Sequence, residues 1–317
     1  MFSLPVYPSF DYLTLAALAC GAVLLDAWLG EPTRWHPLVG FGWLVNQLEK
    51  RLNPPYRQSL RRQYVMGIAG VLLLVLPMVT AFLLLMKLSV WLALGLHVYL
   101  LYFAIGHRSL RQHGLAVYHA LQAGQFQQAQ RATSYMVSRD VEAIEPVSAT
   151  IESVLENGND SVFGSLFWFF VAGGPGALAY RLVNTLDAMW GYRTPRFYYF
   201  GWASARLDDV LNYLPARLTA MTYALLGNPR RACTAWRLQA PLWDSPNAGP
   251  VMAAGAGALN VQLGGAARYH GEWHQRPQLG TTVPPTAEDI PRALQLVRNG
   301  MLAWLALALL MGAFSYA

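Results

Sequence analysis

The acidic residues of this chain are gathered where amides and arginines also cluster. Nine of its 17 Asp and Glu residues lie between Arg139 and Arg217, although the chain is 55% hydrophobic and only 13% charged. They form three phrases: Glu156-Asn157-Gly158-Asn159-Asp160, Asn184-Thr185-Leu186-Asp187 and Ala205-Arg206-Leu207-Asp208-Asp209. An unpaired buried carboxylate costs several kcal/mol or takes up a proton, so an apolar chain that keeps this many together is expected to use them. Hard cations such as Mg²⁺ take one or two carboxylates and complete their shell with water and substrate phosphates. The three phrases are able to supply such carboxylates.

Helical spacing sorts these groups onto faces. A helix opening near Pro146 carries Glu145, Glu152 and Glu156 on one side. Glu152 and Glu156, four apart, repel unless a cation or an arginine lies between them. Asp160 follows four residues later. A helix starting at Pro175 and stopping at Gly191 sets Tyr180, Asn184 and Asp187 on one face, either turned to water or used. Further on, Arg206 reaches Asp209 at i+3 and Asp208 reaches Asn212 at i+4. The plainer alternative for Arg206 and Asp209 is a local ion pair worth under about 1 kcal/mol. Ser245-Pro246-Asn247 reads as a helix start, with serine as cap. The small residues after it, Gly249, Ala253, Ala254, Gly255 and Gly257, suit close helix packing, while its N-terminus is open to an anion. Leu263-Gly264-Gly265 is expected to be a turn, and His270 and His274 a loop pair whose spacing is not that of a zinc protease. There is no P-loop and only two lysines, Lys50 and Lys87, so any phosphate must be held by arginine, metal or backbone.

Long apolar segments must position these phrases. Leu13 to Leu29, Tyr64 to Met86 and Leu88 to Ile105 are long enough to span a bilayer, and Met301 to Phe314 is adequate with its flanks. No Lys or Arg precedes the first run, so a cleaved signal peptide is not expected. Six basic residues lie between the first two runs, 16 between the third and the last, and Lys87 alone lies outside. Cytoplasmic loops are rich in Lys and Arg. The expected architecture is therefore an all-α integral membrane protein of the inner membrane, with about four transmembrane helices and both termini outside. Residues 1–106 would form a three-helix region with a cytoplasmic loop at 30–63, residues 107–299 a large helical cytoplasmic segment, and residues 300–317 the last span. Residues 107–138 read as amphipathic helices with a hairpin turn at Gly124. Val162 to Tyr180 is apolar but broken by Gly173-Gly174-Pro175-Gly176, which fits a re-entrant or interface-lying hairpin. Residues 274–289 read as an irregular loop. The +6 net charge suits anionic lipid or a phosphate-bearing ligand. Its basic residues form no run longer than two, so nucleic acid is not an expected partner, and Cys20 and Cys233 are not expected to pair. Asp26, near the end of the first run, is either a functional intramembrane carboxylate or part of an exit turn with Gly30-Glu31-Pro32 and His36-Pro37.

Taken in order, these phrases resemble the cobinamide-phosphate synthase family of cobalamin biosynthesis, CobD/CbiB. The resemblance runs from Asp26…Gly30-Glu31-Pro32 and Gly106-His107-Arg108 through Ser138-Arg139-Asp140, Glu156-Asn157…Asp160 and Asn184…Asp187. It continues through Arg206…Asp209…Asn212…Arg217 to Ser245-Pro246-Asn247 and Asp289…Arg292. It implies an ATP-dependent ligase with Mg²⁺. The enzyme would join 1-amino-2-propanol, or its O-phosphate, to the propionate carboxylate of adenosylcobyric acid, a corrinoid. Membrane enzymes of the late pathway are then expected partners. The resemblance assigns Glu156, Asp160, Asp187 and Asp208 to Mg²⁺ or the amine, with Asp209 among the catalytic carboxylates. Arg139, Arg206 and Arg217, with Asn184, Asn212 and the helix start at Asn247, are assigned to substrate and phosphate. The chain departs from the pattern at Ser161, Ser165 and Met252. Those departures motivate a rival class, a weak or inactive membrane paralogue that scaffolds corrinoid enzymes or signals. Asp26 and the broken hairpin motivate a third, a transporter.

Overall fold

The computed structural model describes residues 10–31, 37–54, 59–269 and 271–315. Pro32, His36 and His270 lie outside the described residues. In chain order the helices are α1 (Tyr12–Leu29), α2 (Pro37–Leu52), α3 (Leu60–Met86), α4 (Val90–Ala104), α5 (His107–Gln122), α6 (Phe126–Ser134), α7 (Pro146–Gly158), α8 (Gly164–Trp190), α9 (Trp202–Leu226), α10 (Pro229–Gln239), α11 (Ala248–Leu259) and α12 (Asp289–Phe314). Local chemistry sets several starts. Asp11, Ser59, Ser89 and Asn228 each accept a backbone N–H in the first turn of the helix that follows, and Glu145 caps α7 through Val147 and Ser148.

Among the described residues five stretches are long and apolar enough to cross a membrane: Tyr12–Leu29, Leu60–Met86, Val90–Gln122, Pro146–Trp190 and Asp289–Phe314. Four contain the expected spans. The fifth holds the segment expected to be a broken hairpin, and α8 is indeed broken, with non-helical backbone at Ala172 and Gly173. One expectation needs correction: the chain is not all-α. Strands β1 (Gln262–Gly264), β2 (Ala267–Tyr269), β3 (Glu272–His274) and β4 (Gln278–Gly280) form two antiparallel pairs, β1 with β4 and β2 with β3. Leu263-Gly264 is therefore strand rather than turn, and β4 interrupts the expected loop 274–289. Gly264, Gly265, Gly271 and Gly280 all have positive φ, which lets so short a segment reverse repeatedly.

The chain divides into two compact units that do not follow chain order. One comprises Met1–Ile105, Gly164–Leu211 and Leu305–Ala317; the other comprises Gly106–Phe163 and Asn212–Trp304. In the first unit, Phe41 and Val45 of α2, Val71, Leu74 and Val75 of α3, and Leu182, Leu186 and Trp190 of α8 share one buried core. A Cβ at Gly70 would sit 3.2 Å from the Trp190 ring, so glycine permits this contact. Glu49 of α2 receives Arg196 Nε at 3.0 Å and a terminal Arg196 nitrogen at 2.9 Å, and Asn53 donates to both Glu49 and the Arg196 carbonyl. In the second unit α11 is buried along its whole length. Its small residues serve close packing: a Cβ on Gly257 would lie 2.7 Å from Ala232 Cα, and one on Gly255 2.6 Å from Leu155.

Candidate functional site

In the second unit α7 does not pass directly into α8. Residues Asn159–Phe163 form a π turn. Such widened turns cost hydrogen-bond geometry and recur at functional sites. Here the turn carries Asn159 and Asp160. Asn159 is buried and its amide is fully used: Nδ2 donates to Asp160 Oδ1 at 2.9 Å and to Asn212 Oδ1 at 3.0 Å, and Oδ1 accepts from Thr219 at 3.0 Å. Asn212 and Thr219, seven apart on α9, supply one face of this network. Tyr223, one turn further, donates to the Leu155 carbonyl at 3.1 Å. Burial, and then the negative charge of Asp160, push the Tyr223 phenol well above its ordinary range. Gly158 makes room for it, since a Cβ there would stand 2.5 Å from the Tyr223 hydroxyl. Glu156 and Asp160, both half-buried, thus sit one turn apart beside a fixed amide lattice.

Arg217 lies on the same helix. Its guanidinium donates to the Tyr213 carbonyl and to Asn247 Oδ1, both at 2.8 Å, and to the Pro246 carbonyl at 3.0 Å, and it stacks 3.5 Å over the Tyr213 ring. Arg217 and Asn247 are therefore brought together at the start of α11. Ser245 accepts the Asn247 and Ala248 N–H groups, but the helix begins at Ala248 with Asn247 at its cap position, so Ser245 and Pro246 precede the helix rather than cap and open it as expected.

A second polar centre in this unit surrounds Glu152. Its carboxylate is buried and receives Arg139, Arg276 at 2.9 Å, Ser148 at 3.3 Å and the Gly264 N–H at 2.9 Å. The side chains of Arg139 and Arg276 are 11% and 15% exposed. Burial pulls the Arg139 guanidinium down, but Glu152 and Tyr269 outweigh it and hold it above its ordinary value. Two arginines thus neutralise Glu152, and Arg139 is committed to it. A cavity of about 360 Å³ adjoins this centre, lined by Glu145, Ser148, Gln262, Gly264 and Gly265 among others.

The first unit holds the remaining candidates. Asn184 Nδ2 donates to Asp208 Oδ1 at 3.2 Å, so the amide of α8 meets the carboxylate of α9. Arg206 and Asp209 form the plain local ion pair, at 3.3 Å, with Arg206 largely exposed. Burial raises the Asp209 carboxyl above its ordinary value, and the exposed Arg206, then Arg193, only partly offset it. Asp187 lies in the last turn of α8, folded over the helix end so that a Cβ on Gly191 would strike its carboxylate. An acidic group there opposes the helix dipole, an arrangement retained against local stability. The four carboxylates expected to serve a metal thus lie two in each unit. Among the described residues no three His, Cys, Asp or Glu side chains gather as a metal-binding group. Cys20 and Cys233 are both free thiols. Sequence reasoning missed Asn159, Thr219 and Arg276. The Asn212 to Thr219 spacing on α9 is a signal for Thr219, whereas Arg276 meets Glu152 across 124 residues and leaves no local signal.

The departures from the family pattern are accommodated. Ser161 Oγ donates to the Asn157 carbonyl at 2.6 Å, Ser165 Oγ donates to the Ala104 carbonyl at 3.1 Å, and Met252 is buried in α11.

Comparison with known proteins gives a consistent result. A family model described as CobD/CbiB protein matches residues 19–297. Proteins named cobalamin biosynthesis protein CobD are similar along nearly their whole length. The one from Chromobacterium violaceum is 55% identical over 293 residues, 91% of this chain and 94% of that protein. That from Stutzerimonas stutzeri is 55% identical over 302 residues, 94% and 97%. That from Mycobacterium tuberculosis H37Rv is 38% identical over 291 residues, 87% and 88%. No solved structure matches.

Proposed function

Since the chain belongs to the CobD/CbiB family, we propose that it is the amide ligase of that pathway, joining 1-amino-2-propanol or its O-phosphate to the propionate of adenosylcobyric acid. The match along residues 19–297 carries this reading. A carboxylate is a poor acyl donor, so the corrinoid carboxylate attacks the γ-phosphorus of ATP and releases ADP. The amine nitrogen then attacks the acyl carbon, loses a proton and expels phosphate.

The residues of the second unit fit the phosphoryl step. Glu156 and Asp160 would hold Mg²⁺, which when bound with ATP neutralises phosphate charge; two carboxylates plus substrate oxygens is the form such a site takes. Asn159 fixes Asp160 through the Asn212 and Thr219 contacts, so the carboxylate needs little reorganisation during reaction. Arg217, braced by Tyr213 and Asn247, sets a cation beside the N-terminal turn of α11, where backbone N–H groups favour an anion. The Asn184 and Asp208 pair, with Asp187, is a separate set suited to binding and deprotonating an amine. We place the reaction at the cytoplasmic face of the inner membrane, where ATP is made available, with both termini outside.

Purified protein supplied with adenosylcobyric acid, aminopropanol phosphate, ATP and Mg²⁺ should yield the amide, detected by mass. No product from a folded sample, beside an active relative, would sink the ligase reading and favour the scaffold. Asp160→Asn should abolish product while the variant still purifies as a folded protein; retained turnover would remove Asp160 from the site.

A further inference from the structure

Helix α2 is fastened on one side and unmatched on the other. Phe41 and Val45 enter the core, and Glu49 is held by Arg196 and Asn53. The outward side divides along the helix. Val39, Trp43 and Leu44, in its first half, are 72%, 65% and 43% exposed. Lys50 and Arg51 close its last turn, both exposed. Seven residues separate α2 from α1, and seven more separate it from α3, two helices long and apolar enough to cross a membrane. Seven extended residues reach at most about 25 Å, so α2 is tethered within that distance of the ends of two such helices.

The charge around it is one-sided. From Lys50 to Arg62 the sequence holds Lys50, Arg51, Arg57, Arg61 and Arg62 and no acid. Glu49, just before, is taken by Arg196. Arg61 and Arg62 are exposed in the first turn of α3, where the helix dipole already presents positive charge. That placement is unfavourable in water and favourable beside an anionic surface. A free phosphate offers the charge but nothing for Trp43 and Val39; a phospholipid offers both.

We propose that α2 and the first turn of α3 form a docking surface for anionic phospholipid, with Val39, Trp43 and Leu44 in the headgroup–acyl boundary and Lys50, Arg51, Arg61 and Arg62 on lipid phosphates. This inference rests on α1 and α3 crossing the membrane and is independent of the ligase reading.

Two measurements on the full chain test it. In a Cys20→Ala/Cys233→Ala background, a polarity-sensitive thiol probe is placed at Trp43→Cys or, as an aqueous reference, at Gln127→Cys, and the protein is reconstituted in vesicles. The probe at 43 should be quenched by lipids brominated near the top of the acyl chain and shielded from aqueous iodide, the reverse of the probe at 127. Equal iodide quenching at both positions overturns docking. In nanodiscs mixing phosphatidylcholine and phosphatidylglycerol, native mass spectrometry counts the lipid retained. Neutralising Lys50, Arg51, Arg61 and Arg62 to Gln should lower the phosphatidylglycerol preference by about fivefold for each charge removed, while Arg51→Lys, Arg61→Lys and Arg62→Lys together should keep it. An unchanged preference in the Gln variant, its loss in the Lys variant, or displacement of the lipid by inorganic phosphate would each overturn the proposal.

Discussion

Glu152 is the residue on which most charge converges, because two arginines, a serine and a backbone N–H all point at one buried carboxylate. Removing its charge leaves two guanidiniums facing each other in a buried site. Glu152→Gln should destabilise by about 3–5 kcal/mol, seen as a large fall in thermal midpoint in detergent; a midpoint close to that of the parent would mean the arginines find other partners. Asp209 makes a finer case. Its folded pKa is raised, so the stability it contributes is fully present below its unfolded value and is lost as pH rises through the folded one. The midpoint of Asp209→Asn minus that of the parent should therefore climb from acid to neutral pH; a flat difference would show that Arg206 balances burial, and a falling one that it outweighs burial. Residue-level legibility follows the same divide. The Arg206 and Asp209 pair was readable from i, i+3 spacing, as was the need for a cation near Glu152. That Asp208 meets Asn184 required the packing of two helices, and the identity of Arg276 required a hairpin pairing far along the chain.

At the scale of elements, the break in α8 is the clearest success of the sequence. The Gly173-Gly174-Pro175-Gly176 run marked it, and Gly173 takes φ of 63°. What catches the freed backbone was not legible: His97 of α4 accepts the Gly174 N–H on Nδ1 at 2.8 Å, with Phe169 edge-on to its ring. A Cβ at 173 would collide with that imidazole. Gly173→Ala should thus cost both the left-handed strain, about 1–2 kcal/mol, and the His97 contact, and His97→Leu should cost about 1–3 kcal/mol for a stranded N–H. Thermal midpoints of both variants check this; a neutral Gly173→Ala would mean that the break is not held by its backbone geometry. The short strands between 262 and 280 escaped notice because each is three residues long, too brief for an alternating pattern to register.

For the molecule as a whole, apolar length and charge placement revealed the membrane helices, but their number depends on the Pro146–Trp190 stretch. Its apolar window is 67% buried by the protein, against 22–39% in the other four. Four crossings with a broken segment enclosed by protein is the arrangement we propose. Alkaline phosphatase fused after Ala317 should then be active, and an inactive, well-expressed fusion would place the C-terminus in the cytoplasm and overturn the arrangement with both termini outside. The widened turn at Asn159–Phe163 has a genetic corollary. A helix accepts a one-codon deletion there more readily than elsewhere, since losing a residue restores ordinary winding. The side chains on either side would keep their facing, and what is lost is the widened turn that presents Asn159 and Asp160. In-frame deletions in this stretch should therefore surface in a mutant screen as proteins that accumulate normally but leave the pathway blocked.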